Sequence, residues 1–284
     1  MSRALPPVQT LIDLVNAAGK AILPFWRSDI AVEHKADASP VTAADLAAHQ
    51  ALVDGLALLT PDIPILSEED CNIELGERAG WTRWWLIDPL DGTKEFIHGS
   101  EEFTVNLALI DRGSVVLGFV GLPVSGRCYY GGLGQGAWCV DASGRTQPIQ
   151  VRTVQTDDLV VVASKRHSSP AQEHLLSSLR ERYGNVSLTS VGSSLKFCLL
   201  ADGQADAYPR LAPTSQWDTA AAQGVLEGAG GVVLDLMGER LSYEARASYL
   251  NPSFLALAND PQWCADWLSW VETLPRDETA TGTL

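Results

Sequence analysis

The spacing of apolar residues divides the chain into stretches with helical periodicity and stretches with strand-like runs. Apolar positions three or four residues apart predict an amphipathic helix over roughly 7–27. Residues 28–41 are polar and predict a loop. Thr42 opens a pattern typical of a helix cap, so a second, alanine-rich helix is predicted to continue to about Leu59. A short strand is predicted at 63–66.

Strand-like apolar runs dominate from residue 84 onward. Runs at 103–110, 115–120 and 127–130 are separated by Arg-Gly, Pro and Gly positions, which are typical of hairpins. The first part of the chain is therefore predicted to be an antiparallel sheet with helices.

After about residue 158, predicted strands and helices alternate. The strands are predicted at 159–163, 186–190, 205–209, 232–235 and 254–258, and the helices at 170–182, 193–201 and 216–229. Such alternation favours layered α/β structure. We therefore expect an α/β protein with an α+β domain at 1–157, an α/β domain at 158–284 and a disordered tail at 275–284.

Composition and charge restrict the classes of partner and compartment. The formal net charge of −15 argues against binding to a nucleic acid polymer, and an anionic substrate would need a locally positive site. Five cysteines without a CxxC pair fit reduced thiols. The N-terminus does not resemble a signal peptide and no apolar stretch is long enough for a membrane span, so a cytoplasmic protein is predicted.

The most informative run covers residues 84–96, where a strand-like stretch ends at Asp88 and Asp91 follows after a proline. Two ionised carboxylates at the end of a buried strand repel each other and resist desolvation. Mg²⁺ would relieve this repulsion and prefers oxygen ligands. Leu90 could offer its backbone carbonyl, and Gly92 would let a phosphate approach the backbone. The alternative for this motif is an Asp-Pro turn that caps a helix.

Three further acids are candidates, each with a structural alternative. Glu68 ends the short strand and could bridge metal ions, although Ser-Glu-Glu-Asp is also typical of a solvated loop. Asp218 and Asp45 each follow a Ser or Thr at capping-box spacing, so either could be a helix cap or a site residue.

Basic and polar residues in the second part lie at predicted element boundaries, where ligand-binding loops gather. Those singled out are His167, Ser193, Lys196 and Arg210. Each could be ordinary surface polarity, but together they could hold a second phosphate in an otherwise acidic protein.

Residues 85–96 and 217–231 resemble the two signature motifs of the inositol monophosphatase superfamily, which are magnesium-dependent, lithium-sensitive phosphatases. Their order and spacing agree over roughly 8–260. Within that superfamily, residues 37–45, 66–70 and 94–96 are most similar to the 3′(2′),5′-bisphosphate nucleotidase branch.

The resemblance implies a sugar-phosphatase fold with layers in the order α/β/α/β/α, and two or three Mg²⁺ ions. The implied metal ligands are Glu68, Asp88, the Leu90 carbonyl, Asp91 and Asp218. Thr93, paired with Asp45, would orient the attacking water, with Glu68 also catalytic. The implied substrate contacts are Glu68, Leu90, Asp91, Gly92, Thr93, His167, Ser193, Lys196, Arg210 and Asp218.

The activity that this resemblance implies is hydrolysis of the 3′-phosphate of adenosine 3′,5′-bisphosphate in sulfur assimilation or nucleotide recycling, with its sulfated analogue as a further candidate substrate. An inositol or other sugar phosphate is the alternative substrate, and Lys196 and Arg210 are the residues that discriminate. A non-catalytic sensor of Mg²⁺ or nucleotide is a third hypothesis. The resemblance also leaves open a homodimer and peripheral contact with a membrane.

Overall fold

The computed structural model describes residues 5–28, 33–34, 40–154, 156–164 and 170–273. His167 and the predicted disordered tail at 275–284 lie outside these ranges. Within them, no helix combines the length and the apolar character needed to cross a bilayer.

The observed elements follow the predicted order. The helices are α1 (Val8–Ile22), α2 (Ala43–Leu59), α3 (Leu75–Arg78), α4 (Thr93–Ile97), α5 (Pro170–Tyr183), α6 (Leu195–Ala201), α7 (Gln216–Gly228) and α8 (Pro261–Val271). The strands are β1 (Glu33–His34), β2 (Pro40–Val41), β3 (Ile65–Ser67), β4 (Arg83–Asp91), β5 (Thr104–Asp111), β6 (Ser114–Leu122), β7 (Arg127–Gly132), β8 (Gly136–Val140), β9 (Thr146–Ile149), β10 (Leu159–Ser164), β11 (Val186–Val191), β12 (Ala207–Arg210), β13 (Gly231–Asp235) and β14 (Phe254–Ala258).

Three features of the structure differ from the predicted elements. Helix α1 ends at Ile22 rather than near residue 27, because the chain tightens into a 3₁₀ turn that contains Pro24. The predicted loop at 28–41 contains the short antiparallel pair β1 and β2. Helix α8, with Trp263, Trp267 and Trp270 buried, was not among the predicted elements.

Strands β3 to β9 form a seven-stranded sheet in chain order, in which β3 and β4 are parallel and the other neighbours antiparallel. Side chains alternate between its two faces. Ile87 and Leu107 lie on the face that packs against α1 and α2, whereas Leu86 and Ala108 face α7. Because both faces are covered, β4 is buried along almost its whole length.

The second sheet has five strands in the order β11-β10-β12-β14-β13 and is mixed. Helices α6 and α7 lie between the two sheets, and α5 and α8 cover the outer face of the second. The layers therefore run α/β/α/β/α, which confirms the predicted fold class.

Helix α7 follows the predicted boundary at 157/158, yet it packs extensively on β6 and β7 of the first sheet. One hydrophobic cluster contains Leu86 and Ala108 of the first sheet, Ala221 of α7 and Phe254 of the second sheet. Because the core is shared in this way, the division into 1–157 and 158–284 stays a prediction.

Candidate active site

Three carboxylates from distant parts of the chain meet at one end of the first sheet. Strands β3 and β4 run parallel, and the Glu68 N–H donates to the Ile87 carbonyl at 3.2 Å, so Glu68, just after β3, lies beside Asp88 of β4. Asp218 arrives in the first turn of α7. One carboxylate oxygen from each of the three lies within 4.8 Å of the others.

This cluster is electrostatically unfavourable without a cation. Asp88 is only 1% exposed, and burial raises its pKa well above the usual value, with further increases from Glu68, Asp91 and Asp218. Burial likewise raises the pKa of Asp218 to about 8, helped by the charges of Asp91 and Glu68. A divalent cation bound to these hard oxygen donors would remove the repulsion, so the residues present fit Mg²⁺.

Asp91 follows an irregularity in β4, where the pairing register with β5 shifts between Asp88 and Asp91. Within this turn, Asp88 Oδ1 accepts a hydrogen bond from the Leu90 N–H at 3.1 Å. Asp91 Oδ2 accepts from the Ser194 N–H and the Ser194 hydroxyl, both at 2.6 Å, and from Asn106 Nδ2 at 3.3 Å. The orientation of Asp91 therefore depends on the loop before α6.

Thr93 begins α4 and lies between the turn at Asp88–Asp91 and α2. Its hydroxyl lies 3.3 Å from both Asp45 Oδ1 and the Leu90 carbonyl oxygen, so its proton can be donated to either. Gly92, immediately before α4, has φ +93°, and a Cβ there would lie 3.1 Å from the Glu102 carbonyl. A side chain at position 92 would thus be strained as well as crowded.

Asp45 and Asp218 serve as helix caps while they face the site. Asp45 Oδ2 accepts from the Thr42 N–H at 2.7 Å and the Thr42 hydroxyl at 2.6 Å, whereas its Oδ1 faces Thr93. Burial raises the pKa of Asp45, although the Thr42 hydrogen bonds oppose this. Asp218 Oδ2 accepts from the Ser215 N–H at 2.8 Å.

A pocket opens beside the carboxylates and extends toward the second sheet. The residues that line it are Asp91, Gly92, Lys94, Glu95, Gly192, Ser193, Lys196, Phe197, Tyr208, Arg210, Thr214, Asp218 and Thr219. It therefore joins two of the predicted metal ligands to the predicted phosphate-binding residues Ser193, Lys196 and Arg210.

Two of the basic side chains of the pocket, Lys196 and Arg210, are held in place by backbone carbonyls. Lys196 Nζ donates to the Ser193 carbonyl at 2.7 Å, and burial lowers the Lys196 pKa to about 8, against the opposing effect of Asp91. Arg210 donates to the carbonyls of Ala212 and Pro213, each at 3.1 Å. These hydrogen bonds preorganise both cations in the wall of the pocket.

The structure brings the predicted site residues together, with the exception of His167, which lies outside the described ranges. Ser194 and Asn106 were missed, although both contact Asp91. A signal for Asn106 was present: Thr104 and Asn106 occupy alternating positions of β5 whose continuation, Ala108 and Ile110, is buried against α7. Polar residues on a buried face of a strand mark a site that needs hydrogen bonds.

Comparisons with known proteins find similarity to one family. A model of the inositol monophosphatase family matches residues 6–266. The 3′(2′),5′-bisphosphate nucleotidase CysQ of Salmonella typhimurium is 47% identical over 249 residues, which cover 87% of this chain and 98% of that protein. CysQ of Escherichia coli O6:H1 is 49% identical over 244 residues, which cover 85% and 95% respectively.

A solved structure shows the same similarity at the level of the fold. The crystal structure of CysQ from Bacteroides thetaiotaomicron, described as a bacterial member of the inositol monophosphatase family, superposes with a TM-score of 0.78 at 36% identity. The match covers 89% of this chain and 97% of that one. Sequence and fold thus point to the same group of proteins.

Proposed function

This chain belongs to the inositol monophosphatase family, and from that premise we propose that it is a Mg²⁺-dependent 3′(2′),5′-bisphosphate nucleotidase. The substrate proposed is adenosine 3′,5′-bisphosphate, which would lose its 3′-phosphate to give AMP and inorganic phosphate. Such a reaction serves sulfur assimilation or nucleotide recycling, and the sulfated analogue is a further candidate substrate.

One observation carries the proposal: the pocket beside the acidic cluster has three cationic residues in its wall, Lys94, Lys196 and Arg210, of which the last two lie on the side of the second sheet. To bind a substrate with two phosphates, the protein must hold one phosphate at the metal centre and bind the other at a separate cationic site. Phe197 and Tyr208 add apolar surface to the same pocket, which suits a nucleoside.

Glu68, Asp88, Asp91 and Asp218, with the Leu90 carbonyl, are proposed to hold two or three Mg²⁺ ions. When bound, Mg²⁺ supplies Lewis-acid polarisation of the phosphoryl oxygens and lowers the pKa of a bound water. Glu68 directly follows β3 and Asp88 lies on the parallel neighbouring strand β4, so pairing of these strands supports the proposed arrangement of the two ligands.

Thr93 and Asp45 are proposed to orient the attacking water and to provide hydrogen-bond acceptors for its proton. The Thr93 hydroxyl lies 3.3 Å from Asp45 Oδ1, which places a buried acceptor behind it. Thr93 could therefore accept a hydrogen bond from the water while it donates to Asp45. Gly92 adopts a left-handed backbone conformation without strain and leaves the backbone free of a side chain where the phosphoryl oxygens are proposed to bind.

The assay that tests this function follows release of inorganic phosphate from adenosine 3′,5′-bisphosphate with and without Mg²⁺. We expect Mg²⁺-dependent release by the wild-type protein, its loss in Asp88→Asn, and no change in Asp62→Asn, an exposed aspartate away from the pocket. Binding of the nucleotide without any phosphate release over hours would instead favour the non-catalytic sensor.

Lys196→Ala separates a nucleotide substrate from an inositol phosphate. We expect this substitution to raise the KM for adenosine 3′,5′-bisphosphate strongly and to change kcat less, because Lys196 is proposed to bind the phosphate that is not hydrolysed. An unchanged KM, together with faster hydrolysis of inositol monophosphate by the wild-type protein, would refute the nucleotide assignment. Cytoplasmic location, a homodimer and peripheral membrane contact stay predictions.

A further inference from the structure

Ser194 contacts two of the proposed metal ligands at once. Its backbone N–H donates to Asp91 Oδ2 at 2.6 Å, and its hydroxyl, which has a single proton, can donate to Asp91 Oδ2 at 2.6 Å or to the Asp218 carbonyl at 2.9 Å. Asp91 belongs to the first sheet and Asp218 to α7, so Ser194 joins two elements that must be in register for both acids to bind one metal centre. At 2% exposure, Ser194 is shielded from competing water.

Asn106 completes this network. Its Nδ2 donates to the Ser194 hydroxyl oxygen at 2.9 Å and to Asp91 Oδ2 at 3.3 Å. Asn106 is 1% exposed, and its Oδ1 is a buried acceptor without a hydrogen-bond partner in the described part of the chain. Burying an unpaired amide oxygen costs stability, so its presence here is better explained by what Nδ2 holds in place.

The loop that carries Ser194 also carries pocket residues. Ser193 precedes it with φ +49°, a left-handed backbone conformation, and the Ser193 carbonyl accepts the Lys196 ammonium at 2.7 Å. Gly192 is held from the other side, where its N–H donates to Glu102 at 2.9 Å. A displacement of Lys196 would therefore be transmitted through this short, tightly bonded segment to Ser194 and Asp91.

We infer that Ser194, supported by Asn106, is a positioning residue that couples the nucleotide pocket to the metal ligand Asp91. The inference rests on the proposed function, since it takes Asp91 as a ligand and the pocket as the nucleotide site. With one Asp91 oxygen committed to Ser194, the carboxylate has a defined orientation toward the metal. Mg²⁺ and nucleotide should accordingly strengthen each other's binding by the same factor.

The test measures the Mg²⁺ dissociation constant by calorimetry, with and without saturating AMP, for the wild-type protein and its variants. We expect Ser194→Ala to weaken Mg²⁺ binding about 10- to 100-fold, the usual effect of removing a residue that orients a metal ligand. The enhancement by AMP should fall toward one. Ser194→Thr retains the hydroxyl and should restore most of both effects.

Ser190→Ala is the matched control, because Ser190 is exposed on β11 in the segment just before this loop. It should bind Mg²⁺ as the wild-type protein does. Wild-type Mg²⁺ affinity in Ser194→Ala, or equal weakening in Ser190→Ala, would overturn the inference. Should Ser194→Ala fail to fold, Asn106→Ala decides: weaker Mg²⁺ binding supports the inference and unchanged binding overturns it.

Calorimetry with Mg²⁺ alone also separates this inference from the proposed function. A wild-type protein that binds Mg²⁺ but releases no phosphate from adenosine 3′,5′-bisphosphate would contradict the activity. The effect of Ser194→Ala on Mg²⁺ affinity would still show whether Ser194 orients Asp91.

Discussion

A single carboxylate can satisfy two demands because its two oxygens are separate acceptors. Asp45 uses Oδ2 to cap α2 and Oδ1 to face Thr93. Asp218 caps α7 and still places a carboxylate oxygen in the acidic cluster. Capping-box spacing could therefore predict where these acids lie on their helices. It could not distinguish a helix cap from a site residue, because spacing does not show what each of the two carboxylate oxygens contacts.

At this scale, Lys196 gives the reaction a distinctive dependence on pH. Burial lowers the pKa of Lys196 to about 8, so in the free enzyme its positive charge is lost as the pH rises through that value. We expect kcat/KM for adenosine 3′,5′-bisphosphate to fall above about pH 8, since kcat/KM reports the ionisation of the free enzyme.

Lys196→Arg provides the control, because a guanidinium stays protonated throughout this range. Relative to its own value at pH 7, its kcat/KM should persist above pH 8. If the two proteins lost activity together over this range, another group would be responsible for the decline.

At the scale of elements, α7 packs between the two sheets, and glycines at its contact with β6 allow the helix to approach the first sheet closely. A Cβ at Gly118 of β6 would lie 2.0 Å from the Ala221 carbonyl oxygen of α7. From the helix side, a Cβ at Gly224 would lie 3.0 Å from the Gly118 nitrogen. This close approach helps to set where α7 begins, and hence where Asp218 stands.

Gly118→Ala should therefore push α7 away from the first sheet. We expect it to lower the free energy of unfolding by roughly 1–3 kcal/mol, the usual cost of overpacking a core. Urea unfolding of the metal-free protein measures this change.

Gly76→Ala in α3 is the comparison, because a Cβ there meets nothing within 4 Å. It should be neutral, or stabilising by about 0.5–1 kcal/mol through its helical preference. Equal stability of the two variants would show that α7 has room to adjust.

Over the whole molecule, sequence reasoning recovered what depends on local pattern. Strand β4, the turn at Asp88 and Asp91, and α7 are each marked by residues within one short run. The alternation of strands and helices predicted a layered second part, and the family resemblance implied the five-layer order that is observed. It did not recover Ser194 or Asn106, whose contacts with Asp91 span 103 and 15 residues. The Ser194 contact depends on how α6 and its loop pack against the first sheet, which no local spacing reports, whereas Asn106 was indicated by its polar position on a buried face of β5.

The central claim is that Glu68, Asp88 and Asp218 jointly bind a divalent cation. The most direct measurement is an anomalous difference map from crystals of this protein soaked in Mn²⁺, which accepts the same oxygen ligands as Mg²⁺. The account predicts a peak bonded to oxygens of all three carboxylates and its loss in Asp88→Asn. A wild-type map without that peak, with the three carboxylates apart, would contradict it.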